Sequence, residues 1–174
     1  MRVREAKWHE FIKERLKGIG EKSGFEVSES ENDMYFTIKY PLFCGDSAEK
    51  HTLTYKPDVV WKKGMQYRTI FEIEYLNPKS QSLDKRKYVL GTFILGLIAA
   101  YEKSCKNFVL ITNREDLCKE VGTSYEFLKK KIFSKDWKDI VMWYCFDRSI
   151  DKRYKDPRYL EKDLEKEMKA CFKL

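Results

Sequence analysis

Apolar side chains first recur at helical spacing. Trp8, Phe11, Ile12, Leu16 and Ile19 form one stripe within residues 5–22, which predicts an amphipathic helix stopped at Gly24. The pattern then turns to strand-forming residues at 25–28 and 34–40, with Tyr35, Phe36, Ile38 and Tyr40, before Pro41 and Cys44-Gly45-Asp46 interrupt it. Two strands joined by a polar turn are expected there. Residues 51–61 read as a further strand, bent or entered at Pro57, and Lys62-Lys63-Gly64 turns it into the run 68–76, a second hairpin.

After Asn77-Pro78 the period changes again. Residues 83–101 predict a long helix with Leu90, Phe93, Ile94, Leu97, Ile98 and Tyr101 inward and with Gly91 and Gly96 allowing close approach. The continuously apolar 108–112 reads as a strand covered on both faces, 124–133 as helical, and 140–146 as another strand, a parallel crossover. Leu160, Leu164, Met168 and Phe172 mark a last charged helix that closes the core or packs on a partner chain. This order predicts an α/β fold with a central mixed sheet flanked by helices.

A chain of 174 residues suits one compact domain, 1–174, long enough to bury a core. It is 43% apolar and 36% charged, as in a folded protein with a charged exterior. The formal charge of +7 favours a polyanionic partner. The distribution is uneven: 26–58 carry seven acidic and three basic side chains, and 62–87 carry seven basic and three acidic ones. Five widely spaced cysteines without a C-x-x-C pair suggest neither a disulfide framework nor a zinc site, which points to a reducing cytoplasm. Met1 leads straight into charged sequence, and the uncharged run 89–101 is too short to span a bilayer, so neither export nor membrane insertion is expected.

Two acids stand mid-strand in Ile70-Phe71-Glu72-Ile73-Glu74-Tyr75. Side chains alternate along a strand, so Glu72 and Glu74 share one face while Phe71, Ile73 and Tyr75 share the other. Two carboxylates held together beside a buried strand repel each other and lose hydration unless something positive sits between them. A cation resolves the conflict. Oxygen ligands favour Mg²⁺ or Mn²⁺, and the neighbouring strand can bring Asp58 in as a third carboxylate. A metal held this way activates water and stabilises charge developing on a phosphate.

Pro57-Asp58 followed by Glu72-Ile73-Glu74 resembles the PD-(D/E)XK nuclease superfamily, whose motif is Pro-Asp on one strand and an acid, any residue and usually lysine on a later one. The helix ending in Gly24-Phe25, the hairpin, the long helix with small residues and the apolar strand come in that family's order. The resemblance implies a restriction endonuclease-like core, a Mg²⁺ (or Mn²⁺) cofactor held by Asp58, Glu72 and Glu74, and cutting of nucleic acid, DNA in the first place. Glu74 stands where the family usually has lysine, which turns that position toward metal binding or base catalysis. The positive charge would then come from Lys79, Lys85 or Lys87, and the cluster Lys79, Lys85, Arg86 and Lys87 would neutralise phosphates. A homodimer sharing the 89–101 helix would suit the cutting of two strands. The rival expectation is a nucleic-acid-binding or assembly module that keeps the fold without turnover.

The competing readings are plain ones. Asp58, Glu72 and Glu74 could be a solvated strand face paired with lysines. Runs such as Lys85-Arg86-Lys87 and Lys129-Lys130-Lys131 are usually solvated helix faces. Glu5 and His9 flank the first apolar stripe, where the resemblance implies an acidic residue contributing to the site but where such residues are more commonly helix-edge groups, and His9 and His51, the only histidines, are too far apart in sequence to suggest a His-rich site. Neither a P-loop nor a dinucleotide-binding glycine pattern is present.

Overall fold

The computed structural model describes residues 3–29, 36–41, 50–76, 83–131 and 141–146 and the single position 166. Its elements run α1 (Val3–Lys22), β1 (Glu26–Glu29), β2 (Phe36–Pro41), β3 (Lys50–Tyr55), β4 (Val59–Lys63), β5 (Gln66–Glu74), α2 (Leu83–Glu102), β6 (Asn107–Thr112), α3 (Glu115–Lys131) and β7 (Val141–Phe146). Five strands form a mixed sheet in the order β1-β4-β5-β6-β7, and β2 and β3 form a separate two-stranded sheet. The architecture is α/β, an open mixed sheet flanked by helices.

Alternation along the strands divides the core in two. Val59, Trp61, Phe71, Ile73, Val109 and Ile111 pack beneath Trp8, Ile12 and Leu16 of α1. On the other face Val60, Ile70, Phe108 and Leu110 meet Val89, Phe93 and Leu97 of α2 and Leu117 and Val121 of α3. β6 is buried on both faces, from Phe108 through Thr112, as its continuous apolar run predicts. β5 pairs parallel with β6, and β6 with β7, so both crossovers carry a helix on the same side.

Several expectations need correcting. β1 is not paired with β2: it runs antiparallel to β4, with Val27 opposite Trp61. That pairing is stabilised by packing, since Phe25 stacks on Trp61 at 5.2 Å and Gly20 leaves α1 so close that a Cβ there would stand 2.5 Å from Trp61 Nε1. Gly24, with φ of 78°, makes the left-handed exit from the helix. Residues 51–61 are two strands in two sheets, parted at Pro57, which has no N–H to offer a ladder. The third helix begins at Glu115, nine residues ahead of the expected 124.

On α2 the buried positions are Val89, Phe93, Leu97, Ala99 and Ala100, while Ile94 and Tyr101 are more than a third exposed. Gly96 permits a close approach, for a Cβ there would meet the Phe108 ring at 2.3 Å. Gly91 faces open space. Leu160, Leu164, Met168 and Phe172 lie outside the described residues. No helix among the described residues is long and apolar enough to cross a membrane.

Candidate functional site

Antiparallel register places Val59 opposite Phe71, so Asp58, one residue before β4, adjoins Glu72 near the end of β5. This is the end of the sheet where the parallel strands β5 and β6 finish, the usual place for a site in an open α/β sheet. Asp58 is held there by the backbone: its N–H donates to the Phe71 carbonyl at 3.2 Å, and its Oδ2 accepts from the Ile73 N–H at 2.8 Å. Its Oδ1 lies 2.9 Å from His9 Nε2. Helix α1 thus reaches the site around the sheet's end. Trp8, packed at 5.6 Å from the Tyr75 ring just past β5, fixes where His9 falls.

Glu72 is 6% exposed, and it points toward the α2 face, as do Ile70 and Val60. Its Oε2 accepts a 2.5 Å hydrogen bond from the Tyr55 hydroxyl at the end of β3. Burial, then the charge of Asp58, then that of Glu74 hold the Glu72 carboxyl well above the ordinary carboxylate range, with the Tyr55 bond opposing them. Burial and the Glu72 charge likewise push the Tyr55 phenol well above its ordinary value. At His9 burial pulls downward, and the hydrogen bond and charge of Asp58 more than offset it, leaving the imidazole above 6.5.

Glu74, two residues along the same face, is half-buried at the close of β5. The exit of that strand is clamped from β6: Leu76 N–H donates to Asn113 Oδ1 and Asn113 Nδ2 donates to the Leu76 carbonyl, both at 2.8 Å. Asn113 is buried, so the pair satisfies two backbone groups that water cannot reach.

Register thus sets Asp58 across from Glu72, with Glu74 two residues further along β5. Among the described residues no group of three or more His, Cys, Asp or Glu side chains is spaced to hold a metal ion as it stands. Asp58 and Glu72 each have a carboxylate oxygen engaged by His9 or Tyr55.

The basic residues divide differently. Lys79 lies outside the described residues, and Lys85 is placed on α2 without a described side chain. Lys87 is exposed. Arg86 is committed to α3, with Nη2 at 2.6 Å from Asp116 and Nη1 at 2.6 Å from Glu120. Lys129 lies over the Tyr125 ring at 5.7 Å.

Tyr55 and Asn113 join the candidate site without having been expected from the sequence, whereas His9 was weighed there and read as a helix-edge group. The signal the sequence carried for His9 was its place at the edge of the apolar stripe of α1. Comparison with known proteins adds no further constraint: no family model, curated protein or solved structure matches the chain.

Proposed function

We propose that this chain is a divalent-metal-dependent nuclease hydrolysing phosphodiester bonds, in DNA in the first place, on a restriction endonuclease-like core. The observation that carries the reading is the adjacency of Asp58 and Glu72, two acids at one end of the sheet, one of them buried. Support also comes from element order. Pro57-Asp58 opens β4, Glu72-Ile73-Glu74 closes β5, and then come α2 and the parallel strand β6, the sequence of parts on which the PD-(D/E)XK resemblance rests.

The donor chemistry fits Mg²⁺ or Mn²⁺. Asp58 and Glu74 each drive up the Glu72 pKa, and a hard dication among oxygen ligands would offset that repulsion. Asp58, Glu72 and Glu74 would hold the ion, which when bound supplies an activated water and neutralises charge on the phosphate. The chain's own groups do the rest. His9 and the Ile73 amide hold Asp58 in place. Tyr55 orients Glu72 through Oε2, and the apolar side chains of the α2 face exclude bulk water behind it. Glu74, nearer the strand's end, is the base candidate for the attacking water.

The direct test is incubation of purified protein with supercoiled plasmid and with single-stranded DNA in Mg²⁺ or Mn²⁺. Nicking or degradation that chelator stops is the expected result. DNA retention with no cutting in either metal assigns the chain to the nucleic-acid-binding module instead. Dimerisation through α2, whose Leu83, Ile94 and Tyr101 are exposed, would present two sites to two strands; sedimentation only as a 20.9 kDa species at micromolar concentration would remove it.

A further inference from the structure

In the sequence a basic run, 62–87, follows an acidic one, and the structure divides it. Arg86 is tied to α3. Lys62, Lys63 and Arg68 lie on the hairpin of β4 and β5, where residues 59–71 include no acid. The hairpin turns at Gly64-Met65, with Lys63 paired to Gln66, at the end of the sheet opposite Asp58 and Glu72. From Gln66 to Glu72 the strand spans about 20 Å, so these cations are no part of the acid site.

Two features of the tip go beyond what the sheet needs. Lysines commonly blunt an exposed sheet edge, yet β4 and β5 are both interior strands with a neighbour on either side. Met65 is 95% exposed, more than any other large apolar side chain among the described residues. Gly64, at φ of 59°, opens the two-residue turn that holds Met65 out on a short arm. Around it, Lys63 is exposed and Lys62 Nζ lies 5.2 Å from the Tyr67 ring, with Glu26 of β1 opposite Lys62. Since Thr69 pairs with Asn107, the exposed Lys106 falls beside Arg68 and extends the basic surface.

We propose that this tip is a second contact for duplex DNA, remote from the acids, in which Lys63, Arg68 and Lys106 meet phosphates and Met65 enters a groove as an apolar wedge. Cations hold the backbone in register while an apolar side chain parts a base step, and the tip carries both kinds of group. An anionic membrane surface would attract the same charges, but membrane binding grows with buried apolar area, and one methionine offers little. The inference rests on the proposed function only for its choice of nucleic acid as partner. It does not require cutting.

The test measures binding of the full chain to a labelled duplex in chelator, where no metal-dependent cutting occurs, across a NaCl series. Lys63→Ala combined with Arg68→Ala is expected to weaken binding and to reduce the salt slope by about 2, near one for each lost phosphate contact. Met65→Ser is expected to lose the fluorescence rise that the wild type produces by unstacking 2-aminopurines placed along the duplex, and Met65→Leu to keep it. Wild-type affinity and slope in the charge variant, or an undiminished 2-aminopurine signal in Met65→Ser, overturns the proposal. So does hairpin-dependent binding to phosphatidylserine vesicles with DNA binding unaltered, which would assign the tip to a membrane. The two readings fail separately. A chain that binds DNA through the hairpin but cuts nothing in Mg²⁺ or Mn²⁺ loses the nuclease reading and keeps this one, and a chain that cuts with hairpin-independent affinity loses this one alone.

Discussion

Two clusters of acids in this protein have opposite electrostatics. On the outer side of α2 and α3, Asp116 receives Arg114 Nε at 2.7 Å and Arg86 Nη2 at 2.6 Å, and Arg86 also reaches Glu120. The hydrogen bond from Arg114, opposed by partial burial and reinforced by the charges of both arginines, pulls the Asp116 carboxyl down to about 2. At the end of the sheet, Glu72 is held well above its ordinary value by burial and by Asp58. The first cluster is half-exposed and closed by guanidinium groups, which makes it a tie between two helices. In the second Glu72 is buried and raised in pKa by its acidic neighbours, the arrangement on which the proposed cation site rests.

Replacing Asp58 should break the contrast most severely. Asp58→Ala removes the partner of both His9 and the Ile73 amide, and Mn²⁺-dependent plasmid cutting should drop on the order of 10³-fold. Wild-type cutting rates in that variant would leave the site without its central residue. Glu72→Gln should act on stability in the opposite sense. It keeps shape and cannot ionise, so the metal-free variant should be more stable than wild type at neutral pH, measured by denaturant unfolding.

The same pair gives a pH signature. Folded Glu72 keeps its proton at pH values where the unfolded chain, titrating near 4.5, has lost it. The folded state then binds more protons, and metal-free stability must fall as pH rises above about 4.5. His9, raised above 6.5 in the fold, contributes stability that is full below 6.5 and is lost as pH climbs through its folded value. Both slopes have one sign, and Glu72→Gln should remove the lower of them. Stability rising with pH above 4.5 would contradict a buried Glu72 held above its ordinary value.

The arginine-closed cluster should respond weakly and without functional consequence. Asp116, lowered in the fold from 3.8 to about 2, contributes stability present above 3.8 and lost as pH falls toward 2. Arg86→Ala should cost less than about 1 kcal/mol, because the Asp116 and Glu120 side chains are 45% and 37% exposed and screened by water. Cutting should be unchanged. A large loss of cutting in Arg86→Ala would show that this arginine serves phosphate binding rather than the helix tie.

How much of this could be read from the chain follows from the range of each interaction. Alternation is local, so the shared face of Glu72 and Glu74, the buried β6 and the long α2 were all legible. The pairing of β1 with β4 joins residues from Glu29 and Val59 to Glu26 and Lys62, thirty or more positions apart, and no local pattern encodes it. The early start of α3 had a signal in Leu117, Val121 and Tyr125 at four-residue spacing, but Gly122-Thr123-Ser124 interrupts it.

At the site, Asp58 stood out because proline precedes it. His9 read as a helix edge, since sequence does not tell whether a flank meets water or the mouth of a sheet. Tyr55 looked like any aromatic strand residue until its hydroxyl was found on Glu72. Asn113 gave no pattern at all, because its reciprocal bonds to Leu76 depend on two strand ends meeting.

The central proposal, that Asp58, Glu72 and Glu74 hold a divalent cation at the sheet's end, is tested most directly by titrating Mn²⁺ into the wild type, Asp58→Ala and Glu72→Gln and following the melting temperature of each. Binding to the folded state alone stabilises by about 2.7 kcal/mol at a hundredfold excess over the dissociation constant. The account predicts a rise in the wild type that grows with the logarithm of Mn²⁺ concentration and is absent or much reduced in both variants. Equal rises in all three proteins, or none in the wild type, would contradict it.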